Sequence, residues 1–221
     1  MADRLLFSKT GRAKYISHLD LMRTFQRAFA RAHIQIKHTE GFHPHPCVSI
    51  ALPLSVGYSS QCEILEFGLV GGVTAEELPA QLTAAMPEGI QIHQCYPAQS
   101  KLKDLSYINY IMNFEYPEGR PQETEPAMRE LLSRDSLVVQ KKSNKSKKGF
   151  SEVDLIPLIK SCNLECQSDT MTLDAVASAQ NPGLNPELIR AAFCSAYSQL
   201  APDFVTFHRR EVLDREGKPF R

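Results

Sequence analysis

No apolar run in the chain approaches the ~18 residues that a membrane-crossing helix needs, so no membrane role is expected. The start, MADRLLFSKTGR, has only Leu5-Leu6-Phe7 between charges, which excludes a signal peptide by the usual pattern. The expected setting is therefore soluble and cytoplasmic. Six cysteines occur among 221 residues, and none forms a CxxC pair. That spacing argues against a disulfide framework and against a zinc ribbon. The segment Cys162-Asn-Leu-Glu-Cys166 begins like the CxxxCxxC ligand set of an iron–sulfur cluster, but Asp169 stands where the third cysteine belongs. Cys162, Leu164 and Cys166 read instead as alternating buried strand residues. There is no phosphate-binding P-loop, GxGxxG, GxSxG or HExxH, so nucleotide-binding, hydrolase and zinc-protease readings lack their motifs. No metal and no cofactor is expected.

What is present is ordinary in bulk and uneven in placement. Hydrophobic residues make up 43% and charged residues 23%, which excludes a disordered or fibrous chain. Net charge is zero, yet residues 1–50 carry eight Lys or Arg against three acids and five of the seven histidines. Residues 60–136 reverse the balance, with twelve acids against five bases. A basic, His-rich end on a neutral protein attracts a polyanion locally although the isoelectric point gives no sign of it.

Hydrophobic period gives a map of elements. Arg4 to Ile16 reads as extended, broken by a turn at Lys9-Thr10-Gly11. Ser17 is a helix N-cap with Asp20 at the capping-box position. Met22, Phe25, Phe29 and Ala32 then form one buried face, and the helix ends near His33. Strands are expected around Cys47–Leu54 and Glu63–Val70, a short helix from Thr74 to Met86 and a strand at Ile90–Tyr96. The second half repeats the order. It has strand Tyr107–Tyr116, helix Glu125–Ser133, extended segments Leu137–Gln140, Val153–Ile159, Ser161–Cys166 and Met171–Ala177, helix Pro186–Leu200, and strand Phe204–Leu213. The fold class is thus α+β, as two tandem ferredoxin-like (βαββαβ) domains, with a single α+β sheet as the alternative. The domains are placed at 1–100 and 104–213, with 214–221 as a tail.

Four groups of residues carry chemistry. Arg23, Arg27 and Arg31 are spaced by four and line one helix face. Ser17 and His18 sit at the start of that helix, where free N–H groups favour an anion, and Arg12 and Lys14 lie just before it. The second group is Gly41-Phe42-His43-Pro44-His45-Pro46, whose prolines stiffen an extended backbone with His43 and His45 on one side. Two histidines alone do not complete a zinc set. They suit a general acid/base, or a rigid wall against which a base stacks together with Phe42. The third is the polar turn of Gly57, Ser60 and Glu63, in which Glu63 is placed to hold an arginine of the first helix. The fourth is the run Lys141, Lys142, Lys145, Lys147 and Lys148 with no acid among them, a basic finger suited to phosphates.

Taken in order, Tyr15-Ile-Ser-His-Leu-Asp-Leu21 with Arg23, Glu40-Gly-Phe-His-Pro-His-Pro46, Pro53-Leu54 and Gly57-x-x-Ser60-x-x-Glu63 closely resemble the bacterial radical-SAM-associated (radical-SAM-linked) protein family. Its members are largely uncharacterised. The resemblance is strongest over residues 4–70, with an echo at Lys147-Lys148, Glu152-Val-Asp154 and Pro157. It departs from the family at His43, where Asn is usual, which favours His45 over His43 as an essential base. Glu66 stands where Asp is common and keeps the carboxylate. The resemblance implies a cobalamin-binding-type radical SAM partner that does the chemistry, and a setting close to ribosomal or transfer RNA, because family genes neighbour ribonuclease G and ribosomal proteins. The tandem fold adds an analogy to CRISPR RNA-processing endonucleases, which is an analogy of fold only.

The leading expectation is an RNA-binding accessory protein that presents RNA to the radical SAM partner. Arg12, Arg23, Arg27 and the lysine run would grip phosphates, Ser17 and His18 would form the helix-end site, and Gly41–Pro46 its wall. The alternatives are a metal-independent RNA endonuclease using His18 or His45, and a protein adaptor for the radical SAM partner that binds no RNA.

Overall fold

The computed structural model describes residues 2–142, 149–180 and 182–221. The protein is α+β, with four α-helices among the described residues, and the chain divides into two compact units. Residues 1–105, 209–212 and 218–221 form the first, and residues 106–208 and 213–217 form the second. The segment set apart by sequence as a tail therefore divides: Phe220, within 218–221, is fully buried in the first unit.

In the first unit β1 (Asp3–Lys9) leads through a 3-10 turn (Gly11–Tyr15) to α1 (His18–Arg31). There follow β2 (Gln35–Ile36), β3 (Ser49–Ala51), β4 (Ser59–Phe67), β5 (Leu69–Gly71), α2 (Leu78–Ala84) and β6 (Ile90–Pro97). The sheet runs β3-β4-β1-β6 with every pair antiparallel, and β2 pairs separately with β5. Residues 11–15, expected as extended, are 3-10 helix. Ala13 is buried there and its N–H reaches Thr10 O at 3.0 Å. Glycine is required at 89, because a Cβ there would stand 2.4 Å from Thr10 O.

α1 forms where the apolar spacing put it. Leu21, Phe25, Ala28 and Phe29 are buried, and Arg23, Arg27 and Arg31 face solvent. The helix is seated on the sheet by Phe25 against Phe7, edge to face with centroids 4.8 Å apart, and by Phe29 against Phe67 at 5.2 Å. Such aromatic pairs add about 0.5–1.5 kcal/mol each beyond their burial.

The second unit contains β7 (Tyr107–Glu115), α3 (Thr124–Leu132), β8 (Val138–Lys142), β9 (Phe150–Asp154), β10 (Ile159–Cys166), β11 (Thr170–Ser178), α4 (Glu187–Ala196) and most of β12 (Phe204–Leu213). The order β10-β11-β7 is antiparallel, residues 204–208 of β12 continue it beside β7, and β8 and β9 form a separate hairpin. β11 shows why alternation reads so clearly: Met171, Leu173, Ala175 and Ala177 are buried and the residues between them are not. Elsewhere the elements are shorter than the pattern implied. Pro157 breaks the segment expected as one strand into β9, a 3-10 turn (Ile156–Leu158) and β10. Tyr197 leaves helical geometry between α4 and a 3-10 turn (Ser198–Leu200). Cys162 is exposed rather than buried, so the expected alternation in β10 holds only at Leu164.

Candidate nucleic-acid interface

The start of α1 is built on a buried lysine. A register shift in the β1–β4 ladder between Phe7 and Lys9 sets Lys9 opposite Ser60. The Lys9 side chain, 1% exposed, runs beneath the following turn. Its Nζ donates to Lys14 O at 3.2 Å and to Ile16 O at 2.8 Å. One ammonium thus holds both the 3-10 turn and the residue before the helix cap. The turn in turn presents Arg12 and Tyr15 to solvent, with Lys14 Nζ 5.2 Å from the centre of the Tyr15 ring. Gly57 N–H, in the loop before β4, donates to Lys14 O at 2.9 Å, and its positive φ of 88° suits glycine.

Ser17 caps the helix as its sequence context implies. Its Oγ accepts from Asp20 N–H at 3.2 Å and donates to Asp20 Oδ2 at 2.8 Å. Asp20 Oδ1 accepts from Arg23 Nη1 at 3.1 Å. The hydrogen bond from Ser17 holds the Asp20 carboxyl below its usual range; desolvation opposes it, and the hydrogen bond and charge of Arg23 add to it. The anion that a helix start favours is therefore supplied by the protein itself, and Ser17 and Arg23 are engaged with it. The exposed cations beside it, Arg12 and Arg27, make no hydrogen bond among the described residues, and His18 is half-buried in the first turn. Arg31, the last of the stripe, donates to Ala85 O.

The same unit also holds a buried charge pair. Glu63 Oε1 accepts from Arg209 Nη1 at 2.8 Å, and Arg209 Nη1 also donates to Leu52 O at 2.8 Å. The expectation that Glu63 would hold a first-helix arginine is corrected here. α1 turns its arginines outward, and it is β12 that brings an arginine to Glu63. Glu63 Oε2 is buried and accepts no hydrogen bond among the described residues. The Lys9 ammonium is pushed down from its usual value by burial, an effect that Glu63 opposes and Arg209 reinforces. Burial next to Glu63 also drives the Cys62 thiol up to about 12, and Ser60, on the same strand, donates its hydroxyl toward neither charge but lies 3.6 Å from Cys62 Sγ. A second cross-strand pair sits at the far end of β1, where Arg4, 1% exposed, donates to Glu66 Oε1 through Nε at 3.0 Å and Nη2 at 2.8 Å.

The proline-rich loop is a hairpin tip rather than an extended run. The bridge His38↔Pro46 and the bond Thr39 N–H to His45 O, 2.9 Å, close it. Residues 40–43 form the bend, with Gly41 at φ 131°. His45 is exposed like His43, but its Nδ1 lies 3.1 Å from Thr39 Oγ1, and Phe42 at the tip is 100% exposed. Of the lysine run, Lys141 is exposed on β8 and the backbone of Lys142 closes that strand. Lys145, Lys147, Lys148 and the Lys142 side chain lie outside the described residues.

Sequence reasoning missed Lys9, Arg209 and the Arg4–Glu66 pair as parts of the scaffold. Lys9 sat in an assumed turn, and nothing local couples Arg209 to Glu63. Tyr15 and Leu19, 63% and 66% exposed, were also passed over as surface. Two large apolar side chains four apart beside Arg12 and His18 were the available signal.

The architecture defines an α+β protein with a basic, aromatic surface at one helix start. Residues 4–186 match the family model described as "Uncharacterized protein conserved in bacteria (DUF2344)", and the chain belongs to that family. No curated protein matches it. Among solved structures it is similar to a chain of a Cbf5-Nop10-Gar1 complex, with TM-score 0.53 and 7% identity over 95% of this chain. The match covers 48% of that protein, so this chain spans less than half its length. An unknown protein from Galdieria sulphuraria matches at 8% identity over 94% of this chain and 97% of its own, with TM-score 0.28, too low to carry an argument. No helix among the described residues is long and apolar enough to cross a membrane.

Proposed function

We propose that this protein is an RNA-binding accessory protein that presents an RNA substrate to a cobalamin-binding-type radical SAM partner. The observation that carries the RNA half is the surface at the start of α1. There Arg12 makes no ion pair among the described residues, Arg27 makes no direct one and feels Asp20 only at a distance, and Tyr15, on the same turn as Arg12, is 63% exposed. Guanidinium groups suit phosphates, and an exposed ring offers a face on which a base stacks for about 1–3 kcal/mol. Lys9 anchors the turn that carries Arg12 and Tyr15, so that part of the surface is preorganised. Ser17 and Asp20 shape the helix start rather than taking a phosphate themselves. The radical SAM partner rests on the family resemblance of the motifs at 15–23 and 40–46. We take the finer fold to be ferredoxin-like in each unit, the order β6-β1-β4-β3 supporting it in the first.

The test is recovery of RNA. The protein is purified from its native host, half is treated with RNase, and the copurifying RNA is sequenced. Defined RNA that disappears in Arg12→Glu/Arg27→Glu supports the reading. Protein that brings down the radical SAM partner in equal yield with and without RNase, and no RNA, supports the adaptor instead. The fully exposed Phe42 at a closed hairpin tip favours that second reading, since such rings anchor protein interfaces.

A further inference from the structure

Away from the α1 surface, the first unit holds a cavity of about 580 Å³ between the base of the hairpin and the end of β4. That volume lies in the usual range for small-molecule sites. Val48 and Phe67 give it apolar walls, and Lys37, His38, Cys47 and Glu66 bring polar atoms to it.

Each polar group is committed to a role by its surroundings. Glu66 Oε1 takes both bonds from the buried Arg4. Oε2 makes no hydrogen bond among the described residues and keeps its acceptor capacity. His38 Nδ1 donates to Ile36 O at 2.9 Å, which leaves Nε2 as an acceptor on the neutral ring. The Lys37 stem crosses Gly68 so closely that a Cβ there would stand 2.6 Å from Lys37 Cδ. Its ammonium has no acidic partner among the described residues.

A simple cation would satisfy Glu66 and be repelled by Lys37, and a simple anion would meet the reverse. The ligand that fits carries adjacent N–H donors and a carbonyl acceptor on a flat apolar body. We propose that this cavity binds guanine. Its N1–H and N2–H groups suit the free carboxylate oxygen, its O6 and N7 are acceptors for Lys37, and its flat ring can lie against the apolar side chains of this open site. Uracil offers one N–H between two carbonyls, and adenine has no carbonyl. The base comes from a free nucleotide or from single-stranded RNA. The inference stands apart from the α1 surface.

Cys47 lines the cavity and is exposed, so it reports occupancy. Alkylation of Cys47 in the full chain is followed by peptide mass spectrometry, with the exposed Cys162 as internal control. GMP at about ten times its Kd slows Cys47 modification about ten-fold, because only the free fraction reacts, and leaves Cys162 unchanged. IMP, which lacks the N2 amine, protects less, and AMP does not protect. Lys37→Met, on an exposed residue, and Glu66→Gln each weaken protection by GMP. A guanine-containing oligonucleotide that protects where GMP does not assigns the site to RNA; GMP protecting alone assigns it to the free nucleotide. GMP protection without RNA binding at Arg12 and Arg27 would remove the RNA reading and keep this one. Absence of protection by both GMP and the oligonucleotide overturns the inference, as does equal protection by AMP or full protection retained in Lys37→Met.

Discussion

The two units handle charge in opposite ways. The first buries Arg4, Lys9, Glu63 and Arg209 in and beside its sheet. The second keeps its pairs on helix surfaces, Arg129 with Glu125 at 2.8 Å and Arg134 with Glu130 at 3.0 Å, both four residues apart, and Arg190 with Glu187 on α4. Its core, around Met112, Phe114, Met128 and Phe193, is apolar. Exposed pairs at such spacing contribute a few tenths of a kcal/mol. Buried ones are poor sources of net stability, because desolvation offsets their attraction, yet removing one partner is expensive. A fold gains little stability from such pairs, but it gains fixed positions. In the first unit those positions are the turn before α1 and the loop at Leu52.

The contrast predicts a graded series. Arg209→Met strands the Glu63 carboxylate and costs about 3–5 kcal/mol, measured by urea denaturation. Lys9→Met removes both carbonyl bonds but relieves a desolvated charge, so its loss is smaller, about 2 kcal/mol. Its signature is local: hydrogen exchange accelerates at the Ile16 amide, which now bonds Ala13 O at 2.9 Å, before the sheet opens. Ser17→Ala costs about 1 kcal/mol near neutral pH by loss of the cap. Its dependence on pH follows from Asp20. A carboxyl held below its unfolded value of 3.8 contributes stability above that value and loses it as pH falls through the folded one. The gap between wild type and Ser17→Ala therefore narrows below pH 3.8. Arg129→Ala, in the second unit, changes stability by no more than about 0.5 kcal/mol. A cost for Arg129→Ala matching that for Arg209→Met would erase the comparison.

The parts of the fold legible in sequence are those in which one face is buried at a regular period. α1 with its Ser17 cap and β11 are such parts. Segments held by partners far along the chain were not legible. Glu63 meets an arginine 146 residues away, and no local pattern specifies that partner; Lys9 bonds carbonyls only five and seven residues on, but it does so from inside the core, where the sequence puts a turn. The candidate surface was half legible. The arginine spacing placed Arg23 and Arg27 on solvent, but the capture of Arg23 by Asp20 separates two arginines that the sequence treats alike. The loop at 41–46 was recognised by its composition and misjudged in shape, because Gly41 at positive φ turns the chain before the prolines can extend it.

The central claim, that the start of α1 grips RNA, is tested most directly by the salt dependence of binding to single-stranded RNA recovered with the protein. With about four phosphates neutralised, log affinity falls against log salt with a slope near −3. The slope shrinks by about 1.4 in Arg12→Glu/Arg27→Glu, two contacts at about 0.7 each. A flat salt response, or a slope that the double variant leaves unchanged, would contradict the account.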